Sequence, residues 1–238
     1  MNRILLLASL FFGLTFFSAC DTDPIDPQEQ EAYVMYINAA PNVASLYIDN
    51  QEVGHVVGPI LYGSHSGYSV AYLENVNYEF RSPGVTPTIW GTITSPTWEA
   101  GKYYTVVAYQ DNSSATGVSL HVMEDQLHTP AAGMVGYRFL NFAHDSPVLD
   151  LVHSSGTAWF ENVPFYGDDA VASITGYQDH APGSTILSLR ENGTSTTLFE
   201  DWAFTSTENR VYTVVATGYA GNTTYTGLHI ERYENKRD

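Results

Sequence analysis

The stretch "YTVVA" occurs twice, at Tyr104–Ala108 and at Tyr212–Ala216, 108 residues apart. One five-residue match is weak evidence, so the other offsets decide whether it marks a repeat. "INAAPNVASLYID" (Ile37–Asp49) aligns with "LNFAHDSPVLDLV" (Leu140–Val152) at an offset of 103. "ILYG" (Ile60–Gly63) aligns with "PFYG" (Pro164–Gly167) at 104, and "TGVSLHVMED" (Thr116–Asp125) with "TGLHIERYEN" (Thr226–Asn235) at 110. The offset widens in one direction, as loop insertions in the second copy would make it. Two homologous units of about 100 residues each follow. They cover 32–126 and 135–238, joined by 127–134 within the Pro-bearing, small-residue stretch "QLHTPAAGM".

Within each copy the pattern has a period of two. Tyr33, Met35 and Ile37 alternate with Val34 and Tyr36, and Tyr104, Val106 and Ala108 alternate with Thr105 and Val107. Runs rich in Tyr, Val, Ile and Thr, bounded by Gly, Asn, Asp and Pro, predict strands and turns. No segment after residue 20 holds a 3.6-residue period long enough for a helix. Seven or so short strands per copy predict a sandwich, because two half-apolar sheets must cover each other. The chain is expected to be all-β, with two tandem β-sandwich domains.

The paired blocks "NAAPNVASLYID" and "NFAHDSPVLDL", each followed by a Gly-bearing turn and later by "YTVVA", resemble the domain of unknown function 4397 family. The second copy carries the turn and strand residues of that pattern at Asp145, Pro147 and Asp150. The first copy departs from it, with Asn42, Ala44 and Tyr47 in their places. The resemblance spans nearly all of residues 32 to 235. It implies immunoglobulin-like sandwiches on a secreted or cell-surface protein, and it implies no activity.

Cys20 is the only cysteine, so no internal disulfide can form. No other ligands crowd it for zinc, and no electropositive pocket is suggested for a catalytic thiolate. Upstream, Arg3 precedes an apolar run from Ile4 to Phe17, fourteen residues long. That is short of the roughly 20 a spanning helix needs, and fits a signal-peptide core ending in small Ser18 and Ala19. Phe17-Ser18-Ala19-Cys20 resembles a bacterial lipobox, with Phe in place of the usual Leu. The resemblance implies that residues 1–19 are removed and that the Cys20 thiol is acylated. Residues 20–31 are acidic, carry Pro24 and Pro27, and are expected to be an extended tether. Acidic residues after a lipidated cysteine resemble surface-export signals in some Gram-negative groups. An Asp directly after it resembles an inner-membrane retention signal in others, and the outer membrane is the expected location.

The net charge is −17, and −18 once Arg3 is removed. The eight remaining Lys and Arg against 26 Asp and Glu leave no basic excess to neutralise phosphates, which argues against nucleic acid as a partner class. Membrane attachment must therefore come from acyl chains on Cys20.

The sharpest polar cluster is "HDSPVLDLVH", with His144, Asp145, Asp150 and His153. Imidazoles and carboxylates are metal or acid–base chemistry, and His144, Asp145 and His153 are the candidate ligands. Asp150 and His153 differ by an odd number, however, and face opposite sides of a continuous strand. Turn formation is the favoured role for Asp145. Asp168 and Asp169 are read as a solvated turn, and His65, His121, His180 and His229 as single residues. No nucleophile elbow, P-loop, dinucleotide fingerprint or zinc-protease motif is present. No enzyme activity and no cofactor are expected. Trp90, Trp98, Trp159 and Trp202 fall at strand ends or loops, where they either plug the sandwiches or form a platform for sugar rings or partner side chains. The expected role is to bind or scaffold an extracellular protein or glycan. A glycan-binding accessory protein and, behind it, a metal-dependent hydrolase are the alternatives.

Overall fold

A computed structural model describes residues 31–235, apart from 51, 53, 74, 75, 95, 172, 173 and 223. The signal-peptide, Cys20 and tether readings fall on residues 1–30, outside the described residues. All regular structure among the described residues is strand. The first copy holds β1 (Glu31–Ala39), β2 (Ser45–Asn50), β3 (His55–Leu61), β4 (Ser64–Tyr72), β5 (Asn77–Arg81), β6 (Ile89–Thr94), β7 (Tyr103–Gln110) and β8 (Val118–Glu124). The second holds β9 (Val135–Asn141), β10 (Leu149–His153), β11 (Ala158–Val163), β12 (Gln178–His180), β13 (Gly183–Glu191), β14 (Thr197–Ser206), β15 (Val211–Thr217) and β16 (His229–Asn235).

Each copy makes two four-stranded sheets in the same order, β4-β1-β7-β8 over β3-β2-β5-β6, and β12-β9-β15-β16 over β11-β10-β13-β14. The chain is thus two tandem β-sandwiches, as the period-two runs predict. Each has eight strands and one parallel pair, β1 with β7 and β9 with β15. The sheets of an antibody constant domain contain seven strands, so the likeness is one of architecture. The repeat extends to single bonds. Asn38 Nδ2 donates to the carbonyls of Val43 (2.9 Å) and Ile60 (3.2 Å), and its Oδ1 accepts from Ala40 N. Asn141 does the same work at the matching place, donating to Ser146 Oγ and the Val163 carbonyl and accepting from Ala143 N. Both asparagines are fully buried, which such complete pairing allows.

The two copies are not independent bodies. Ala32, Val34 and Tyr36 of β1 face the core of their own sandwich. Their neighbours Met35, Ile37 and Ala39 face the other way, into a third cluster with Val107, Tyr109 and Met123. Leu140, Phe142, Phe165, Val215 and Tyr233 of the second copy complete that cluster. On β9, Val135, Tyr137 and Phe139 face their own core while Leu140 faces the joint. The two inner sheets therefore pack face to face, and the molecule is a stack of four sheets with three apolar layers. Fully burying each large aliphatic or aromatic side chain contributes about 1.5–3 kcal/mol, so the middle layer is a core in its own right. The sequence reading treats the copies as separable; it is corrected by strands apolar at both parities, which have two faces to bury.

One polar network crosses the middle layer. Arg138 donates from a terminal nitrogen to Asp125 Oδ1 (2.5 Å) and from Nε to Thr213 Oγ1 (2.8 Å). Thr213 donates to Asn235 Oδ1, Asn235 Nδ2 donates to the Tyr68 hydroxyl, and Tyr68 donates back to Asp125 Oδ2 (2.7 Å). Thr105 also donates to Asp125 Oδ2. The ring closes through both copies. Burial, the largest single effect, would lower the Arg138 pKa, but Asp125, Tyr177 and Tyr68 together outweigh it and the net direction is upward. The stretch between β8 and β9 is pinned too: His128 Nε2 lies 2.6 Å from Asp179 Oδ1, and Ala131 N donates to Asp179 Oδ2.

Candidate functional site

The residues singled out from the sequence do not come together. His144 is buried, packed edge-on against Phe165 and Tyr219, with Nε2 2.8 Å from Asn112 Nδ2 and 3.1 Å from Asp145 Oδ1. Asp145 sits at φ +57°, the left-handed conformation that Asp tolerates in turns. Asp150 Oδ1 accepts from Asn162 N and Asn192 Nδ2, tying β10 to its neighbours. His153 pairs through Nδ1 with Ser155 Oγ and stacks on Trp159 at 5.5 Å between ring centres. His144, Asp145 and His153, the weaker metal candidates of the sequence, are thus apart: one imidazole faces the joint between copies, the other an indole of the second sandwich. No group of three or more His, Cys, Asp or Glu among the described residues could hold a metal ion.

The tryptophans each pack against their own sandwich. Trp98 is 7% exposed, in the first core beside Tyr78 and Tyr104, so it offers no open face. Trp90 is half-buried against the same core, and Trp159 and Trp202 against the second. The second face of Trp159 is covered by the His180 ring at 3.8 Å.

A different place has the features of a site. A cleft of about 470 Å³ opens among Leu198 and Phe199 of β14, the loop carrying Asn222, Thr224 and Tyr225, and His229 and Glu231 of β16. His229 and Glu231 are two apart on one strand and so share a face. The loop is shaped by its own bonds: Asn222 Oδ1 accepts from the backbone and hydroxyl of Thr224, and Tyr219 N donates to the Thr226 carbonyl. The first copy packs against these lining residues, at the turn between β3 and β4. The Tyr62 ring lies edge-on to both Tyr225 (5.5 Å) and His229 (5.4 Å), and Tyr225 Oη donates to the Tyr62 carbonyl at 3.3 Å. Gly63, at φ +72°, follows. A Cβ there would lie 3.3 Å from both Glu231 Oε1 and His229 Nε2. The glycine serves the turn and lets the two copies close around the carboxylate.

The electrostatics of the cleft centre on Glu231. His229 Nδ1 lies 2.8 Å from the Gly227 carbonyl, which places a proton on Nδ1, so that in the neutral imidazole Nε2 is the acceptor, facing Glu231 Oε1 at 3.7 Å. Among the described residues no donor hydrogen-bonds to the Glu231 carboxylate. Burial pushes its pKa up from 4.5 to about 7. The unfolded chain gives up this proton near 4.5 while the native state keeps it to about 7, so between those values the native state holds more protons. Stability falls as pH rises through that window, the full contribution being present below 4.5. The thermal midpoint is expected to drop more in the wild type than in Glu231→Gln between about pH 5 and about pH 8. Equal drops would show that Glu231 does not titrate there. The sequence held a signal for this site in the His-x-Glu spacing of "TGLHIERYEN", but Phe199 in its lining and Tyr62 packed against it are distant in sequence.

Comparison with known proteins adds the family and little beyond it. No curated protein matches the chain. A solved structure of a candidate cell adhesion protein from Bacteroides eggerthii is similar at 8% identity, covering 87% of this chain and 96% of that one, with a TM-score of 0.26. So low a score supports no inference about this chain. The family model "Domain of unknown function (DUF4397)" matches residues 32–152, from β1 through the second strand of the second sandwich. With just over half of its length matched, the chain belongs to the DUF4397 family.

Proposed function

We propose that this protein is a non-enzymatic lipoprotein that binds an extracellular partner, held at the outer membrane by acyl chains on Cys20. The observation that carries the binding role is the cleft: an exposed aromatic, a half-buried carboxylate without hydrogen-bond donors among the described residues and an imidazole nitrogen facing it, on two sandwiches joined by a shared apolar layer. Pockets that recognise ligands combine apolar walls with a few fixed polar groups in this way. The second sandwich is read as a further copy of the family domain, supported by the identical strand order and by the matched bonds of Asn38 and Asn141. Lipid anchoring rests on the apolar run before Cys20 and on a body too acidic to adhere to anionic lipid by charge. Acyl chains contribute about 0.8 kcal/mol per buried CH₂, enough for stable attachment when two or more are present.

Cys20→Ala is expected to shift the protein from the membrane fraction to the soluble one, and mass spectrometry of the wild type should find the acyl groups on Cys20. Membrane retention of the variant would defeat the anchor. A screen of the full chain against glycosides, esters and phosphates is expected to show no turnover. Turnover lost on substituting Glu231 or His229 would replace the binding role with catalysis.

A further inference from the structure

We propose that the cleft between β14 and β16 binds a neutral sugar residue of a glycan, the ring lying on Tyr225 and its hydroxyls reaching Glu231 and His229. This rests on the binding role argued above and names its ligand class. Tyr225 is 75% exposed, yet its hydroxyl and one ring edge are held by Tyr62. A solvent-facing aromatic that is already fixed loses little entropy on being covered. Above about pH 7, where Glu231 is ionised, the cleft also has two polar groups with unused capacity, the Glu231 carboxylate and His229 Nε2, both acceptors. Asn222 and Thr224, by contrast, spend their side chains on each other and on Thr226.

The ligand must therefore donate hydrogen bonds at one side and present an apolar face at the other. Anions are excluded by charge: no Lys or Arg lines the cleft, Glu231 would repel them, and the chain carries −17 overall. A wholly apolar ligand would strip water from Glu231 and return nothing to it, which is costly. A pyranose satisfies both sides, with a face of C–H bonds and a rim of hydroxyls that donate. The cleft, at about 470 Å³, lies in the usual range for small-ligand sites.

The test is saturation-transfer NMR and calorimetry on the full chain with cellobiose, maltose, mannobiose and N,N′-diacetylchitobiose, alongside digalacturonate and putrescine. At least one neutral disaccharide is expected to bind while digalacturonate does not. Tyr225→Ala and Glu231→Gln should each weaken that binding about tenfold or more, as loss of an anchor does, with the thermal midpoint of Tyr225→Ala unchanged. Absence of binding by every neutral disaccharide overturns the proposal, as does sugar binding that neither substitution moves. Preference for putrescine overturns it too, and makes the cleft a cation site. None of these three outcomes touches the wider binding role, which fails separately if the full chain turns a substrate over.

Discussion

Arg138→Met is expected to destabilise the protein by about 3–5 kcal/mol, because it leaves Asp125 buried without its counter-charge. The Arg138 side chain is 5% exposed and that of Asp125 0%, so water cannot replace the lost partner. The damage spreads along the ring. Thr213 loses a donor, and Tyr68 and Thr105 are left donating to a carboxylate that no cation offsets. Burial and the neighbouring Asp125 already push the Tyr68 hydroxyl pKa well above its usual value. Asp125→Leu added to Arg138→Met should restore most of the loss, since replacing a whole buried pair by apolar groups is often neutral or better. Urea unfolding of the wild type, the single variants and the double variant measures this directly. A single variant within about 0.5 kcal/mol of wild type would show that the ring is not closed in solution.

Phe142→Ala tests the middle layer, with a loss of about 3–5 kcal/mol expected from the removed surface and the cavity left behind. Phe142 is fully buried and packs on Tyr109 of the first copy at 5.4 Å and on Tyr166 of the second at 4.9 Å. The number matters less than the form of the melt. Both sandwiches rest on this layer, so calorimetry should show one transition for the whole chain, moved as a whole by the substitution. Two transitions with only one displaced would restore the picture of separable domains. Limited proteolysis gives an independent reading. Pinning by Asp179 predicts that residues 125–134 resist cleavage in the native state, whereas an exposed linker would release two fragments.

The strands and the duplication were legible because both depend on local pattern. Alternation along Tyr33–Ile37 marks a strand whatever it packs against, and "YTVVA" repeats whether or not the copies touch. The joint was written in the same residues but reads differently. Met35, Ile37, Val107, Leu140 and Val215 are the second parity of strands whose first parity already fills a core. A strand apolar on both faces announces two neighbours, and attention to the period alone hides that. His144 and His153 are near in sequence, but strand spacing and the turn role of Asp145 already argued against a cluster, and the strand geometry of β10 and the turn at Asp145 send the rings apart. Of the cleft only the His-x-Glu spacing of His229 and Glu231 was legible, since Phe199 of β14 meets β16 through the folding of the second sandwich and Tyr62 reaches it through the packing of one copy on the other.

The position of β1 has a mechanical consequence. Its first residue, Glu31, is the first of the described residues, and its carbonyl accepts from Gly101 N at 2.7 Å. Beyond that point the strand runs between β4 and β7, antiparallel to one and parallel to the other, in the interior of the stack. Tension entering at Glu31 along the strand axis acts across the ladder hydrogen bonds, perpendicular to the strand on the β4 side and slanted on the β7 side. They must then rupture together in shear, where an edge strand pulled sideways would peel one bond at a time. If the proposed anchor holds the chain at this end, a pull along β1 would load the fold in shear rather than by peeling.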